Sequence, residues 1–507
     1  MTEINRRLFL KSSALGASGV VGAAALAASS ESAAAETQAA KPAGQETYRL
    51  AREIPVEAGY DLVVAGGGPA GTAAAVSAAR LGAKVLLLEA TGCLGGMGTS
   101  GLVTAFNPMA DGQRMLVGGL MREIVTIMHH RGFLAPQVTE DFYAKRFHCW
   151  TPFRVEGYKL VLDELVAAAG VEVRFFTRLV DVDADAGRRE VRGVIAQNIE
   201  GFRYLRAKTF VDATGDAVLA DLCGVPCREA GRDTPNIMPP TLCSITGTID
   251  WSRAGRANQQ ALVEKAIADG HFSSKDRHVP GLFQVGQGLG MLNAGHLFKM
   301  NALKCGSLSR GVMKGRRLAQ EFLSFYRKYV PGCENMELAI TGSLVGVRES
   351  RRIVGEYELN FDDFSARRQF PDQIAVFNNS VDIHVYDDTE AEYQRYYKEF
   401  TQLGRLKPGE RYGIPYGILV PKGWRNLWVA GRCNSSDVRL SGTIRVQPAA
   451  SMMGQAVGTA AVQSIATGRP ACDLDTRKLV ETLRHAGAYL PQEELSPTMT
   501  RRMAAPT

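Results

Sequence analysis

The chain has 507 residues, of which 45% are hydrophobic and 22% are charged, and its formal net charge is +7 at pH 7. This is the composition of an ordinary globular protein of about two or three domains. The modest positive charge is not gathered into basic runs between aromatics, so no nucleic-acid-binding surface is predicted. The nine cysteines are scattered without a C-x-x-C pair. A disulfide framework is therefore not expected, and no metal site is predicted.

The first 35 residues carry a pattern typical of an export signal. Arg6-Arg7-Leu8-Phe9-Leu10-Lys11 is followed by a weakly apolar stretch that ends near Ala28. The run resembles the bacterial twin-arginine signal, and it is too short and too rich in Gly and Ser to span a bilayer. We therefore expect residues 1–35 to be a signal peptide and residues 36–57 to be a linker. The twin-arginine machinery would then deliver a mature protein without a membrane span to the periplasm or the medium.

A dinucleotide fingerprint follows the linker. Tyr60–Ala65 has the apolar character of a strand, Gly66-Gly67-Gly68-Pro69-Ala70-Gly71 follows at once, and an Ala-rich stretch predicts a helix. A second predicted strand, Lys84–Leu88, ends at Glu89. Glycines at these positions permit a tight turn, the approach of a pyrophosphate and close packing of helix on sheet, while the acid accepts hydrogen bonds from a ribose. The pattern predicts a phosphate site at the helix N-terminus.

Three later segments indicate that the nucleotide is a flavin. Gly92–Thr99, Thr209–Asp216 and Asn426–Arg432 occur in this order and resemble the FAD enzymes of the glutathione reductase-like superfamily. The resemblance implies FAD, with the N-terminus of a helix beginning near Gln447 facing the flavin ring. Arg432 departs from the pattern, because many relatives have an Asp there for the ribityl chain. The cofactor-binding residues implied are Gly66, Gly68, Pro69, Ala70, Gly71, Glu89, Ala90, Gly95, Gly96, Met97, Val180, Ala213, Thr214, Gly215, Gly431, Arg432 and Val446.

Further motifs narrow the resemblance to one family. Pro331–Asn335, Gly346–Tyr357, Asp382-Ile383-His384 and Ser441–Pro448 follow one another as in a bacterial family called FAD-dependent oxidoreductases. The resemblance covers most of the chain. It implies an α/β fold, in which a Rossmann-like FAD-binding domain with a small antiparallel β insert is joined by an α+β substrate or cap domain. The expected boundaries are 58–227 and 406–470 for the two parts of the FAD-binding domain, 228–405 for the cap and 471–507 for a C-terminal tail.

Three side chains are the leading candidates for catalysis. His384 is a candidate acid or base, because histidine titrates near neutral pH and Asp382 could tune it if the two side chains meet. Arg445 precedes the helix expected beneath the flavin, where a cation would stabilise a reduced ring or a substrate anion. Arg348 would share a face with Arg351 if that stretch were helical, and Glu349 and Glu356 could pair with them. A structural role is the alternative for each, and the further acid–base candidates are His296, His148, Tyr412 and Tyr416.

The expected function is hydride transfer from a small molecule, such as an alcohol, a sugar or an amine, to FAD. Gly286–Gly290 is glycine-rich but has no strand and helix around it, so no NAD(P)H site is predicted, and oxygen or a separate carrier would be the acceptor. Two alternatives remain open. One is a fumarate reductase-like flavin reductase, and the other is a non-catalytic flavin-binding subunit. The sequence leaves the substrate, the acceptor and the oligomeric state undetermined.

Overall fold

The computed structural model describes residues 46–255, 257–279, 281–402 and 405–491. The predicted export signal lies outside these residues. From residue 46 the chain runs without regular structure until the first strand begins at Val56.

The strands are β1 (Val56–Ala65), β2 (Val85–Leu88), β3 (Ala105–Phe106), β4 (Thr151–Pro152), β5 (Glu172–Arg174), β6 (Arg178–Asp185), β7 (Glu190–Asn198), β8 (Gly201–Asp212), β9 (Cys227–Glu229), β10 (Ser244–Gly247), β11 (Gly281–Gln284), β12 (Gly290–Asn293), β13 (Glu337–Thr341), β14 (Arg351–Ile353), β15 (Gln373–Phe377), β16 (Tyr412–Pro415) and β17 (Leu427–Val429).

The α-helices are α1 (Pro69–Arg80), α2 (Gly119–His130), α3 (Glu140–Lys145), α4 (Val155–Ala168), α5 (Val218–Leu222), α6 (Trp251–Ala254), α7 (Gln259–Ala268), α8 (Cys305–Tyr329), α9 (Phe361–Ser365), α10 (Glu390–Gln402), α11 (Val438–Ile444), α12 (Gln447–Thr467) and α13 (Thr476–His485).

A seven-stranded sheet organises the first and last parts of the chain. Its order is β5-β2-β1-β8-β7-β6, and β17 also pairs with β8. The strands β1, β2, β5, β8 and β17 run parallel, whereas β6, β7 and the start of β8 form an antiparallel extension. The buried apolar runs of β1 and β2 suit strands covered on both faces. Because β1, β2, β8 and β17 end at the same edge, the segments that follow them meet there.

Two alanine- and glycine-rich helices, α1 and α12, cross in close contact over this sheet. A Cβ added at Gly454 would lie 2.0 Å from the Ala70 carbonyl oxygen, and one at Gly458 would lie 2.2 Å from that of Ala74. No side chain larger than hydrogen fits at either position. The sequence of α12 therefore brings its backbone against the first turn of α1.

The middle of the chain forms a separate antiparallel sheet of order β11-β12-β10-β13. It shares a hydrophobic core with α7 and α8, which includes Val263, Phe322 and Phe325. By contrast, Leu359–Ile383 contributes apolar side chains to the core of α1 and α12, although these residues fall inside the predicted cap. The cap boundaries stay a prediction.

The architecture confirms the predicted fold class, with a parallel sheet, its antiparallel insert and additional antiparallel sheets. The segment Gly286–Gly290 turns between β11 and β12. The sequence predicts a helix over Gly315–Tyr329, whereas α8 begins ten residues earlier, at Cys305. Its first turns are mostly polar and exposed, so they give little apolar pattern from which to predict a helix. No helix in the described ranges is both long and apolar enough to cross a membrane.

Candidate active site

The glycine motif after β1 forms the predicted tight turn. Gly66 has a φ of 99°, and a Cβ added there would lie 2.5 Å from the Ala213 carbonyl oxygen. A Cβ at Gly71 would lie 1.7 Å from the Gly66 carbonyl oxygen, so α1 packs against the turn as expected. At Gly68, by contrast, a Cβ would meet no atom within 4 Å. The space beside the backbone is open at the one glycine where a pyrophosphate is expected to approach.

The N-terminus of α1 has neither a side-chain cap nor an acidic residue in its first turn among the described residues. Gly68 is its N-cap, and Pro69 occupies an N-terminal position. The amides of this turn and the positive end of the helix dipole therefore remain available for an anion. This arrangement fits the diphosphate of a dinucleotide.

Glu89 lies beside the turn, at the end of β2, and is buried. Its Oε2 accepts a hydrogen bond from the Gly67 amide at 2.7 Å, and its Oε1 accepts one from the Thr91 amide at 2.7 Å. These bonds fix the carboxylate next to the glycine turn. Oε1 also accepts from the Thr91 hydroxyl at 2.7 Å, so Oε2 is the oxygen that keeps a further lone pair for the ribose hydroxyls that the sequence predicts there.

The predicted cofactor-binding segments that follow β8 and β17 lie at the same edge of the sheet as the glycine turn. Thr214 donates through its amide and its hydroxyl to the buried Asp212, which holds the Ala213–Gly215 turn. A Cβ at Gly431 would come within 3.3 Å of the Ala70 Cβ. Arg432 turns back and donates to Asp216 and to the Gly215 carbonyl. Its guanidinium thus joins protein segments, which accounts for its departure from the Asp of relatives.

The Gly95–Gly98 segment links this edge to α12. Gly95 donates its amide to the Gly67 carbonyl at 2.9 Å, and a Cβ at Gly98 would lie 2.2 Å from Gln447 Oε1. Gln447 donates to the Val103 and Ala105 carbonyls. Val446 is the N-cap of α12, and no side chain caps it. An elongated cofactor can therefore extend from the N-terminus of α1 to that of α12.

Three further residues that were predicted to bind the cofactor are only partly buried or exposed. Ala90 is exposed and Met97 is half-buried. Val180 lies at a register shift between β6 and β7, and its side chain is 40% exposed. The bulge leaves the Val180 backbone outside the regular pairing of β6 with β7. The contact of this backbone with the adenine stays a prediction.

Beside α12, a chain of acids and histidines runs through buried side chains. His296 Nε2 lies 3.0 Å from His384 Nδ1, and His296 Nδ1 lies 3.1 Å from Asp276 Oδ1. At the other end, His384 Nε2 lies 3.3 Å from Asp382 Oδ1. The predicted partners Asp382 and His384 thus meet, and His296 joins them. The loop that carries Asp382 is held by α11, because Asn379 donates to the Thr443 carbonyl at 2.9 Å.

The protons of the two neutral imidazoles can be counted to find which of the three contacts in this chain lacks a hydrogen. Asp276 accepts from Tyr393 Oη and from the amides of His278 and His296, so it is an acceptor and His296 Nδ1 must donate to it. His296 Nε2 and His384 Nδ1 are hydrogen-bonded at 3.0 Å, so with the one proton of a neutral His296 on Nδ1, the donor in that bond is His384 Nδ1. Two neutral imidazoles supply only two protons for the three gaps, so His384 Nε2 faces Asp382 without a hydrogen between them. The chain has room for one more proton at this end.

The electrostatic surroundings keep that position empty near neutral pH. Burial and the charge of Arg348 lower the pKa of His384 to about 3, against the opposing effect of Asp382. Burial also lowers the pKa of His296, against the effect of Asp276. Burial acts to raise the pKa of Asp382, but the charges of Arg445 and Arg348 act to lower it, and the pKa lies well below its usual range. The imidazoles are neutral, the carboxylates are charged, and His384 Nε2 is free to act as a base.

The open end of the chain lines a recess formed by Asp382, Arg445, Arg348 and His278. Arg445 donates to Asp382 Oδ2 at 3.0 Å. The Asp382 side chain is 51% exposed although buried groups surround it, and Arg348 and His278 also keep part of their surface accessible. Arg445 ends α11, two residues before α12 begins. The recess therefore adjoins the helix N-terminus expected beneath the flavin.

The predicted helical pairing of Arg348 with Arg351 is wrong. Residues 346–350 are not helical, and Arg351 begins β14. Arg351 pairs with Asp221 at 3.0 Å, and Glu349 pairs with Arg352 at 3.0 Å. Glycine at position 346 and the short β14 favour extended backbone, so neighbouring side chains diverge. Glu356, the other proposed partner, instead accepts from the Gly423 amide.

The other candidates lie in structural contacts. His148 Nε2 is 3.1 Å from Ser380 Oγ, and the buried hydroxyls of Tyr412 and Tyr416 bond to Thr443 and to the Ala471 carbonyl. None of the nine cysteines is paired. In contrast, the sequence reading missed Asp276, His278 and Tyr393. A signal was present, because Asp276-Arg277-His278 repeats the Asp-x-His pattern of Asp382-Ile383-His384.

Three histidines, which the sequence did not group, come together here. Possible ligand atoms of His278, His296 and His384 lie within 4.8 Å of one another. The rings of His278 and His296 are stacked with centroids 3.8 Å apart, whereas ligands of one ion point their nitrogens inward from different directions. Arg348 Nη2 lies 3.2 Å from His278 Nε2, which places a cation at that nitrogen. The arrangement is that of a hydrogen-bonded cluster, and the absence of a metal site stays a prediction.

The chain is similar to several known proteins. A 192-residue stretch, 35% of the chain, is 29% identical to 95% of an uncharacterized protein encoded in the nifH2 5' region of Methanosarcina barkeri. A geranylgeranyl bacteriochlorophyll reductase-like structure from Thermoplasma acidophilum matches with a TM-score of 0.43 and 13% identity, over 85% of each chain. The p-nitrophenol 4-monooxygenase of Pseudomonas putida matches with a TM-score of 0.36 and 16% identity, over 60% of this chain and 70% of that one.

The family model described as FAD dependent oxidoreductase matches residues 61–483. This range spans the glycine turn, the acid–histidine chain and α12. The open space at Gly68, the uncapped helix and the fixed Glu89 fit the group that the family binds. The chain therefore belongs to the FAD dependent oxidoreductase family and is an oxidoreductase with FAD as its cofactor.

Proposed function

We propose that the protein oxidises the hydroxyl or amine group of a small molecule, and that His384 accepts the proton. The observation that carries this proposal is the contact of His384 Nε2 with Asp382 Oδ1 at 3.3 Å, which lacks a hydrogen when both imidazoles of the chain are neutral. It opens on a recess that adjoins the N-terminus of α12. When bound, FAD supplies an acceptor for the hydride from the substrate carbon. Oxygen or a separate carrier then takes the electron pair.

The protein's own groups account for the proton. The substrate loses a C–H hydrogen with its electron pair and an O–H or N–H proton, and a C=O or C=N bond forms. His384 Nε2 takes the proton, which then lies between two imidazoles flanked by Asp276 and Asp382. The two carboxylates offset part of the cost that burial and Arg348 impose on this charge, so the proton is held only briefly. Arg445 holds Asp382 in place by donating to its other oxygen.

Anaerobic spectroscopy tests the proposal. The purified protein should be yellow and release FAD on denaturation. A panel of alcohols, sugars and amines, added without oxygen, should contain compounds that bleach the flavin absorbance, and oxygen or an artificial acceptor should restore it. A colourless protein that FAD cannot reconstitute, or a flavin that every oxidisable class leaves unbleached, would contradict the proposal.

We also propose that the protein is exported in folded form by the twin-arginine machinery. The support is the run Arg6-Arg7-Leu8-Phe9-Leu10-Lys11, a pattern that the machinery reads. Replacing both arginines by lysine should leave folded, flavin-loaded protein in the cytoplasm, whereas the unaltered chain should be recovered outside it. Normal export of the double variant, measured by cell fractionation, would show that the pair is not a signal.

A further inference from the structure

Arg348 differs from the other deeply placed arginines around the site in having no charged partner. Arg352 pairs with Glu349 at 3.0 Å, and Arg445 pairs with Asp382 at 3.0 Å. Arg348 instead donates to the Pro239 carbonyl at 2.6 Å and to Thr241 Oγ1 at 3.1 Å. Its third partner is the imidazole of His278. Within the described part of the chain, no carboxylate oxygen comes within 4.0 Å of its nitrogens.

The charge at the recess is consequently unbalanced. The recess holds two guanidinium groups, from Arg348 and Arg445, and one carboxylate, that of Asp382, which of the two contacts only Arg445; the nearby imidazoles are neutral. Asp276 lies behind His296 and is already saturated by its donors. A buried cation without an anion is unfavourable. Burial and Arg445 lower the pKa of Arg348 to about 10, so it is still charged at neutral pH.

The neutral contacts of Arg348 also hold it in position. The Pro239 carbonyl and Thr241 take one terminal nitrogen, and His278 takes the other from one side. A fixed, planar guanidinium with accessible surface is suited to a planar anion, because a carboxylate can accept from two of its N–H groups at once. A site for the carboxylate of a ligand therefore lies at the wall of the recess.

The distance to the base limits what the ligand can be. His278 is a neighbour of both groups, since it contacts Arg348 at 3.2 Å and its ring centroid is 4.9 Å from that of His384. The anion site and the base are therefore separated by no more than about the width of one imidazole ring and its contacts. We propose that Arg348 binds the carboxylate of the substrate, and that the substrate is a small hydroxy or amino acid whose oxidised group lies within a few atoms of that carboxylate. The choice of hydroxyl or amine rests on the proposed function.

Ligand titrations of the holoprotein test the site without turnover. Acetate and propionate, which carry no hydroxyl or amine to oxidise, are compared with acetamide and propionamide at constant ionic strength and pH 7. The readouts are the difference spectrum of the bound flavin and the shift in Tm. The acids should bind at least tenfold more tightly than their amides, because only they present an anion to the guanidinium. Equal binding of acids and amides, or no binding of either, would overturn the proposal.

Variants assign the binding to Arg348. Arg348→Gln should lose at least tenfold in affinity for acetate and leave the weak affinity for acetamide unchanged, and Arg348→Lys should lose less because it keeps the charge. Arg351→Met is the control, since that arginine pairs with Asp221; it should bind acetate normally. Full acetate binding by Arg348→Gln would overturn the assignment. If Arg348→Gln does not fold, Arg348→Lys and the acid–amide comparison in the unaltered protein still decide.

The outcome is separable from that of the proposed oxidation. Hydroxy or amino acids that bind through Arg348 but never bleach the flavin would support the anion site and contradict the oxidation chemistry. Bleaching by neutral alcohols or amines, with no binding of acids, would support the oxidation and overturn the anion site.

Discussion

Individual residues of the acid–histidine chain act through hydrogen bonds that leave one imidazole nitrogen without a proton. Asp276 fixes the tautomer of His296, and His296 fixes that of His384, so the free lone pair falls on the nitrogen nearest the recess. Asp276 thus determines, through His296, which nitrogen of His384 can act as the base. A histidine in this arrangement accepts a proton without first losing one.

Removing this base should slow chemistry and spare cofactor binding. His384→Asn keeps a polar side chain but has no basic nitrogen, so flavin bleaching by an identified substrate should slow by about 10²–10⁴-fold. The FAD content should not change. Stopped-flow absorbance measures the rate, and His130→Asn, an exposed residue at the end of α2, serves as the control. Unaltered bleaching in His384→Asn would assign that residue a structural role.

Among the elements, α1 and α12 have the closest dependence on each other. Each contributes its N-terminus to the predicted cofactor path, and the glycines of α12 set their separation. The two helices were predictable because both lie in local patterns of small residues next to a strand. Helix α8 was predicted too short, since solvent-facing turns leave no apolar periodicity to detect.

The smallest possible increase in side-chain size tests this contact. Gly454→Ala places a Cβ 2.0 Å from the Ala70 carbonyl oxygen, so the helices must separate. We expect a loss of about 1–3 kcal/mol in the free energy of unfolding and weaker retention of FAD. Alanine is intrinsically the better helix former, so a loss isolates the steric effect. Gly306→Ala in α8, which meets only the end of a flexible side chain at 3.4 Å, should instead be neutral or stabilising by denaturant titration.

At the scale of the whole molecule, the acid–histidine chain joins segments that are far apart in sequence. Asp276, His278 and His296 come from the separate antiparallel sheet region, and Asp382 and His384 come from a loop against α11. No local pattern predicts that the two regions meet, which explains why His278 was overlooked. The cofactor turn was predictable because its glycines and its acid belong to one strand–helix–strand unit.

Because the histidines and aspartates of this site are buried together, the free energy of unfolding depends on pH. Burial lowers the pKa values of His278, His296 and His384 in the folded protein, whereas the unfolded chain titrates near its usual value of about 6.5. Below that pH the unfolded state binds more protons, so stability is full above about pH 6.5 and falls on acidification. Each histidine contributes up to about 1.4 kcal/mol per pH unit. Below about pH 4, the lowered pKa values of Asp276 and Asp382 add to the loss.

Urea titrations at pH 7 and pH 5 measure this dependence. His278→Gln should reduce the difference in unfolding free energy between the two pH values, because one group that must remain neutral has been removed. The exposed His130→Gln should leave it unchanged. An unaltered pH dependence in His278→Gln would mean that His278 is protonated in the native state.

The pairing of β17 with β8 has a consequence for biosynthesis. Leu427 lies opposite Phe210, and α12, which covers α1, follows β17 along the chain. A nascent polypeptide must therefore leave the ribosome as far as α12 before that helix can cover α1 beside the glycine turn. Until then the alanine face of α1 stays uncovered and open to chaperones and proteases. In cells short of riboflavin, this protein should accordingly be degraded soon after translation. Every residue of the glycine turn has already been synthesised at that stage.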